Sequence, residues 1–207
     1  IHERLVGSEM CIRDSTYAAF RLESERFPGL TAKDGSYSKQ EFIDLQRMGL
    51  EYGVRIIPEI DIPAHSLAFA HYKPEIASRK YGMDHLDLYK KETYQFVDSL
   101  LDEYLSGDNP VFIGDLHIGT DEYNKKEAEQ YRYFTDRYLK FVEKYGKNVR
   151  MWGGLKWLPG KTPVKAEGVT VNAWSYDWVD PVVSLQDGYK LINTCDTYLY
   201  IVPAAGY

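Results

Sequence analysis

VFIGDLHIGTDEY, residues 111–123, begins as an apolar β-branched run and ends in a histidine, a glycine and two adjacent carboxylates. Similar runs recur at VRII (54–57), VRMW (149–152), VTVNAW (169–174) and KLIN (190–193). Such runs, VFIG (111–114) among them, read as strands buried on both faces, as a parallel sheet covered by helices requires. Between them lie segments with a helical period. SKQEFIDLQRMGLEYG (38–53) opens with Ser38 and Glu41 in capping-box spacing and closes on Gly53. YKKETYQFVDSLLDEYLSG (89–107) puts Phe96, Val97, Leu100, Leu101, Tyr104 and Leu105 on one stripe and ends at Gly107. KKEAEQYRYFTDRYLKFVEKYG (125–146) repeats the pattern and closes on Gly146. Tyr-Gly precedes a strand at Tyr52-Gly53 and again at Tyr145-Gly146, with Asp187-Gly188 a looser echo, so repeated βα units are expected.

Two α/β architectures fit that alternation, an open doubly wound sheet and a closed (β/α)8 TIM barrel. No G-x-G-x-x-G follows any strand, which removes the main support for the first. The strands instead run into EIDIPAH, DLHIGTDE, GGLKW, SYDW and TCDTYLY, and a barrel builds its active site from the C-terminal ends of several strands at once. The barrel is the better reading. It is incomplete, with about five of eight βα units in a chain of 207 residues.

Composition narrows the ligand class. A chain 44% hydrophobic and 27% charged fits one globular domain. A formal charge of −6 without a Lys/Arg cluster argues against nucleic acid, and a neutral or weakly polar ligand fits better. No stretch is long and apolar enough to span a bilayer. Cys11 and Cys195 have neither metal-ligand spacing nor a disulfide framework and are expected as unpaired buried thiols. Residues 1–15, IHERLVGSEMCIRDS, have neither helical stripe nor strand alternation, and read as a non-native lead ahead of a barrel region at 16–207.

The chemistry concentrates at strand ends. Pro58 cannot donate a ladder hydrogen bond, so the run VRII is expected to lose pairing there and deliver Glu59, Asp61 and His65 to the rim. Along a strand His117, Gly119 and Asp121 share one face and Glu122 the other, so both carboxylates meet one ligand only if the strand ends near Gly119. Adjacent carboxylates in a partly desolvated pocket repel, which pushes their pKa values apart and suits them to the acid/base hydrolysis of a glycosidic bond. Trp152, Trp157, Trp174 and Trp178 lie in or just after strands, and aromatic planes there suit the C–H faces of sugars.

With these residues assembled, the chain resembles the catalytic barrel of glycoside hydrolase family 20, the β-N-acetylhexosaminidases. The likeness rests on GSYSKQEFIDLQRMGLEYGVRIIPEIDIPAHS, HIGTDE, RMWGG, VNAWS and TYLY, in the family's order. Thr120 stands where many members have glycine, and PAHS where many have Pro-Gly-His, as in bacterial surface hexosaminidases and lacto-N-biosidases. The resemblance implies a retaining mechanism without cofactor, in which the substrate's own 2-acetamido oxygen attacks the anomeric carbon. It casts Glu122 as general acid and then base, and Asp121 as the group that orients the acetamido nitrogen. Tyr198, or else Tyr200, would hold the acetamido oxygen. Trp152 and Trp174 would wall the sugar pocket, Glu59 would contribute to binding, and His65, His117 and Asp61 would form a supporting relay. His71 and His85 have no place in the pattern. The family's first-strand arginine and eighth-strand Trp-x-Glu or Trp-x-Asp element have no match here. The implied partner is a glycan ending in β-linked N-acetylhexosamine, and the implied location is secreted or on a bacterial surface. Alternatives are a lacto-N-biosidase of the same chemistry, an idle sugar-binding barrel, and a metal-dependent hydrolase using His65, His117, Asp61 and Asp121, whose spacing matches no zinc motif.

Overall fold

A computed structural model describes residues 19–199. The lead at 1–15, Cys11 and Tyr200 lie outside those residues. Helix α1 (Lys39–Glu51) forms where the capping box places it: Ser38 Oγ accepts from the Glu41 N–H at 3.1 Å, and Glu41 Oε2 from the Ser38 N–H at 2.7 Å. Strand β1 (Glu59–Ile62) follows, then a short helix α2 (Leu67–Tyr72) and an antiparallel hairpin of β2 (Ala77–Ser78) and β3 (Gly82–Leu86). Next come α3 (Lys91–Leu105), β4 (Leu116–Gly119), α4 (Ala128–Glu143), β5 (Val149–Trp152), β6 (Val169–Ala173), α5 (Pro181–Gln186), β7 (Lys190–Asn193) and α6 (Asp196–Leu199). The glycines expected to close α1, α3 and α4 all have positive φ. None of the described helices is long and apolar enough to cross a membrane.

Strands β1, β4, β5, β6 and β7 make one parallel sheet in that order. The order never reverses, so the sheet has no switch point of the doubly wound kind and winds like an arc of a (β/α)8 barrel. Cross-strand register lines up Glu59, His117, Arg150, Thr170 and Lys190 on one face. By strand alternation Leu116, Ile118, Val149, Met151, Val169 and Val171 take the other face, all buried in the core with the apolar stripes of α3 and α4. One side of the arc is thus an apolar floor for helices, and the other is polar. The expectation of strands buried on both faces holds for β1 and β4; β6 alternates buried and half-buried positions, and no residue of β7 is buried.

Two strands sit later in the sequence than their apolar runs suggest. VFIG is not a strand, because the buried Gln46 side chain of α1 takes its backbone groups: Nε2 donates to Val111 O at 2.7 Å and Oε1 accepts from Ile113 N at 3.1 Å. Phe112 N donates to Tyr104 O, and the pleat begins only at Leu116. VRII is not a strand either. Pro58 interrupts nothing; it stands just before β1, and its carbonyl accepts from His117 N at 2.9 Å. Glu59 and Asp61 therefore lie within the sheet, and only His65 stands beyond its end.

Candidate active site

The backbone at the end of β4 makes the site. Gly119, Thr120 and Glu122 have φ of 69°, 74° and 50°, and His65, beyond the end of β1, has φ 51°. Left-handed non-glycine residues cost of order ~1–3 kcal/mol each and persist only where their surroundings hold them. Here Tyr131 OH donates to Thr120 O, Thr120 Oγ1 donates to Gly119 O, and Tyr123 OH donates to Leu86 O at 2.7 Å. Gly119 has no room for a side chain: a Cβ would stand 1.8 Å from Asp61 Oδ1 and 2.6 Å from Asp61 Cα. The positive φ at Thr120 gives a physical reason why glycine would suit that position.

The bend cancels the strand alternation, and both carboxylates meet one imidazole. His65 Nε2 is 3.0 Å from Glu122 Oε2 and 3.5 Å from Asp121 Oδ2. These are ionic contacts without hydrogen-bond alignment. The Asp121 side chain is 13% exposed and that of Glu122 48%, so one carboxylate is recessed and its neighbour reaches solvent. Burial works against charge on His65, but Asp121, Glu122 and Asp61 outweigh it and raise its pKa to about 11. His65 is a fixed imidazolium at neutral pH. Asp61 is fully buried, and burial together with the Asp121 charge holds its carboxyl well above the usual carboxylate range.

A second cluster lies beneath. Trp152 Nε1 donates to Glu59 Oε1 at 2.6 Å, His117 Nδ1 is 3.5 Å from the same oxygen, and the His117 and Trp152 rings are 4.9 Å apart. Gly119 N donates to His117 Nδ1 at 3.1 Å. Trp152 is only 3% exposed and acts as a pillar under the bend. Trp174 is half-buried, with its indole N–H on Gly153 O, and its ring continues through Trp178 to Trp157 at centroid spacings of 5.5 and 5.0 Å. Tyr198 is 74% exposed on α6, with its ring 6.5 Å from that of Tyr176. Asp61, His65 and Asp121 can bring three ligand atoms within 4.8 Å of one another, a set to which His117 does not belong.

Sequence reasoning missed the braces. His85 is no ordinary loop residue: Nδ1 lies 2.9 Å from Asp84 Oδ1 and Nε2 3.4 Å from Glu122 O. The hairpin that carries it also fixes the His65 segment through Ser66 N on Asp84 O and Leu86 N on Pro63 O, both at 2.8 Å. Glu127, buried just after the bend, accepts from Lys80 Nζ, Tyr81 OH and Tyr89 OH at 2.6–2.7 Å. These donors depress its pKa from 4.5 to about 2. A depressed carboxylate contributes stability above its unfolded pKa that is lost as pH falls through its folded one. Glu127→Gln is thus expected to lower the urea midpoint at neutral pH, with the deficit shrinking between pH 4.5 and about 2. A deficit independent of pH would count against the hub.

Residues 12–205 match the model of the glycosyl hydrolase family 20 catalytic domain. The chain belongs to that family. A beta-hexosaminidase of Arthroderma benhamiae is 29% identical over 209 residues, covering 83% of this chain and 34% of the relative. Among solved structures, the family 20 β-N-acetylhexosaminidase of Streptomyces coelicolor superposes with a TM-score of 0.69 at 25% identity, over 84% of this chain and 39% of that one. A mutant Streptomyces plicatus beta-hexosaminidase in complex with its product GlcNAc gives 0.67 at 24% identity, with coverage of 84% and 38%. The chain spans between a third and two fifths of the length of these relatives. The parallel five-strand sheet is accordingly a family 20 barrel arc.

Proposed function

We propose that the protein carrying this chain is a retaining exo-β-N-acetylhexosaminidase that releases terminal β-linked GlcNAc or GalNAc by substrate-assisted catalysis. The observation that supports this most is the unlike exposure of two carboxylates on one imidazolium, Asp121 recessed and Glu122 open to solvent. Glu122 gives a proton to the glycosidic oxygen as the substrate's acetamido oxygen attacks the anomeric carbon. The leaving alcohol departs and an oxazolinium forms. Asp121 accepts from the acetamido N–H and balances the positive charge. Glu122, now a carboxylate, takes a proton from water as that water opens the ring with retained configuration. His65 holds the pair in place, and Asp61 lies against Asp121 from below. The GlcNAc product held by the Streptomyces plicatus relative agrees with this substrate class.

Paired aryl β-glycosides, offered to the chain and to the full reading frame that contains it, test the reading. The aryl β-N-acetylglucosaminide is expected to be cleaved with retention and the matching β-glucoside, which lacks the internal nucleophile, refused. Comparable cleavage of both would leave no role for the acetamido group.

A further inference from the structure

Strands β1 and β4 pair as far as Ile62 and Gly119. Beyond those residues the two segments leave the sheet and turn through left-handed backbone at His65 and at Glu122, where no strand pairing among the described residues fixes one against the other. Yet His65 Nε2 and Glu122 Oε2 stand 3.0 Å apart. The hairpin of β2 and β3 bridges the gap. On the His65 side, Ser66 N donates to Asp84 O and Leu86 N to Pro63 O, both at 2.8 Å. On the Glu122 side, Tyr123 OH donates to Leu86 O at 2.7 Å, His85 Nε2 lies 3.4 Å from Glu122 O, and Lys80 and Tyr81 at the turn hold Glu127.

A two-stranded hairpin is marginal by itself, and Gly82, Met83 and Asp84 are exposed, so these ties largely fix its place. Two neighbouring residues divide the work. The Asp84 carbonyl holds the segment that carries His65, and its carboxylate lies 2.9 Å from His85 Nδ1. The other ring nitrogen of His85 reaches the carbonyl of Glu122. Both nitrogens face acceptors, so the ring bonds to both at once only as a donor at each.

We infer that the hairpin is the spacer that sets the His65–Glu122 distance, and that His85 is the positioning residue through which it acts on the general acid. Only the effect on turnover rests on the hydrolase reading; the coupling of the two residues does not. Gln and Asn separate the two bonds of the ring, since Gln can present an amide N–H where Nε2 stood and Asn only where Nδ1 stood. In the full reading frame, His85→Asn is expected to lower kcat on a β-N-acetylglucosaminyl disaccharide by about tenfold to a hundredfold, the upper figure being the cost of a misplacement of about 1 Å. KM should change little, and His85→Gln should keep most of the turnover. The His85→Asn loss should shrink on the glycoside of an acidic phenol, which needs less help from a proton donor. A role confined to stability would affect both variants alike and both substrates alike. In nuclear magnetic resonance spectra of the chain with ¹⁵N-labelled histidine, the His65 ring signals should shift in His85→Asn and stay in place in His71→Asn. Equal loss in His85→Gln and His85→Asn, undiminished turnover in His85→Asn, or unmoved His65 signals in that variant would overturn the assignment. A shifted His65 signal in a protein whose unaltered form has no turnover would remove only the hydrolase reading.

Discussion

Glu122→Gln is expected to lower turnover of a β-N-acetylglucosaminyl disaccharide by about two to four orders of magnitude, the range that a positioned general acid or base contributes. The amide keeps the shape of the side chain and cannot exchange a proton with the glycosidic oxygen. Glu122 is the more exposed carboxylate of the pair, and Asp121 stays 3.5 Å from His65, so the fold should survive. The loss should depend on the leaving group. An acidic phenol departs with little help, so cleavage of its glycoside should fall less than that of the disaccharide. Steady-state kinetics on both substrates, with circular dichroism as the folding control, reads the outcome. A loss under tenfold on the disaccharide, or equal losses on both, would remove Glu122 from the proton transfer.

Gly119→Ala should have the largest effect on folding, about 4 kcal/mol or more, the range reserved for strain and overpacking without escape. The added Cβ meets three atoms of Asp61, and one of them is the Cα of the neighbouring strand, which no side-chain rotation can move. Gly53→Ala is the internal control. Its φ of 72° nearly equals the 69° of Gly119, yet a Cβ there meets nothing within 4 Å. That variant should show only the left-handed penalty of about 1–2 kcal/mol. Urea unfolding of the two side by side separates backbone strain from collision. Equal destabilisation would mean that strands β1 and β4 are not in such close contact.

Helices α1, α3 and α4 were legible because a capping box, closing glycines and apolar stripes are local signals, whereas the short α2, α5 and α6 carry no such stripe. Strands β5, β6 and β7 were legible for the same reason, as their apolar runs coincide with their pairing. Strands β1 and β4 lie downstream of theirs, since what captures residues 111–113 is a glutamine 65 residues earlier, and sequence patterns do not show such partners. At the site, the need to end a strand at Gly119 could be read from alternation alone. The braces could not, because Tyr131, His85 and Glu127 become neighbours of the bend only through α4 and a polar, largely exposed hairpin that carries no strand period.

The polar face of the arc has a consequence for how this barrel can change. Glu59, His117 and Arg150 stand in one row of the sheet, where many barrels stack branched aliphatic side chains. Volume-conserving swaps, the usual currency of neutral drift in cores, have nothing to conserve in such a row, where each side chain answers to a neighbour's charge or hydrogen bond. Drift should collect on the helix-facing rows, and the inward row should change only by paired replacements.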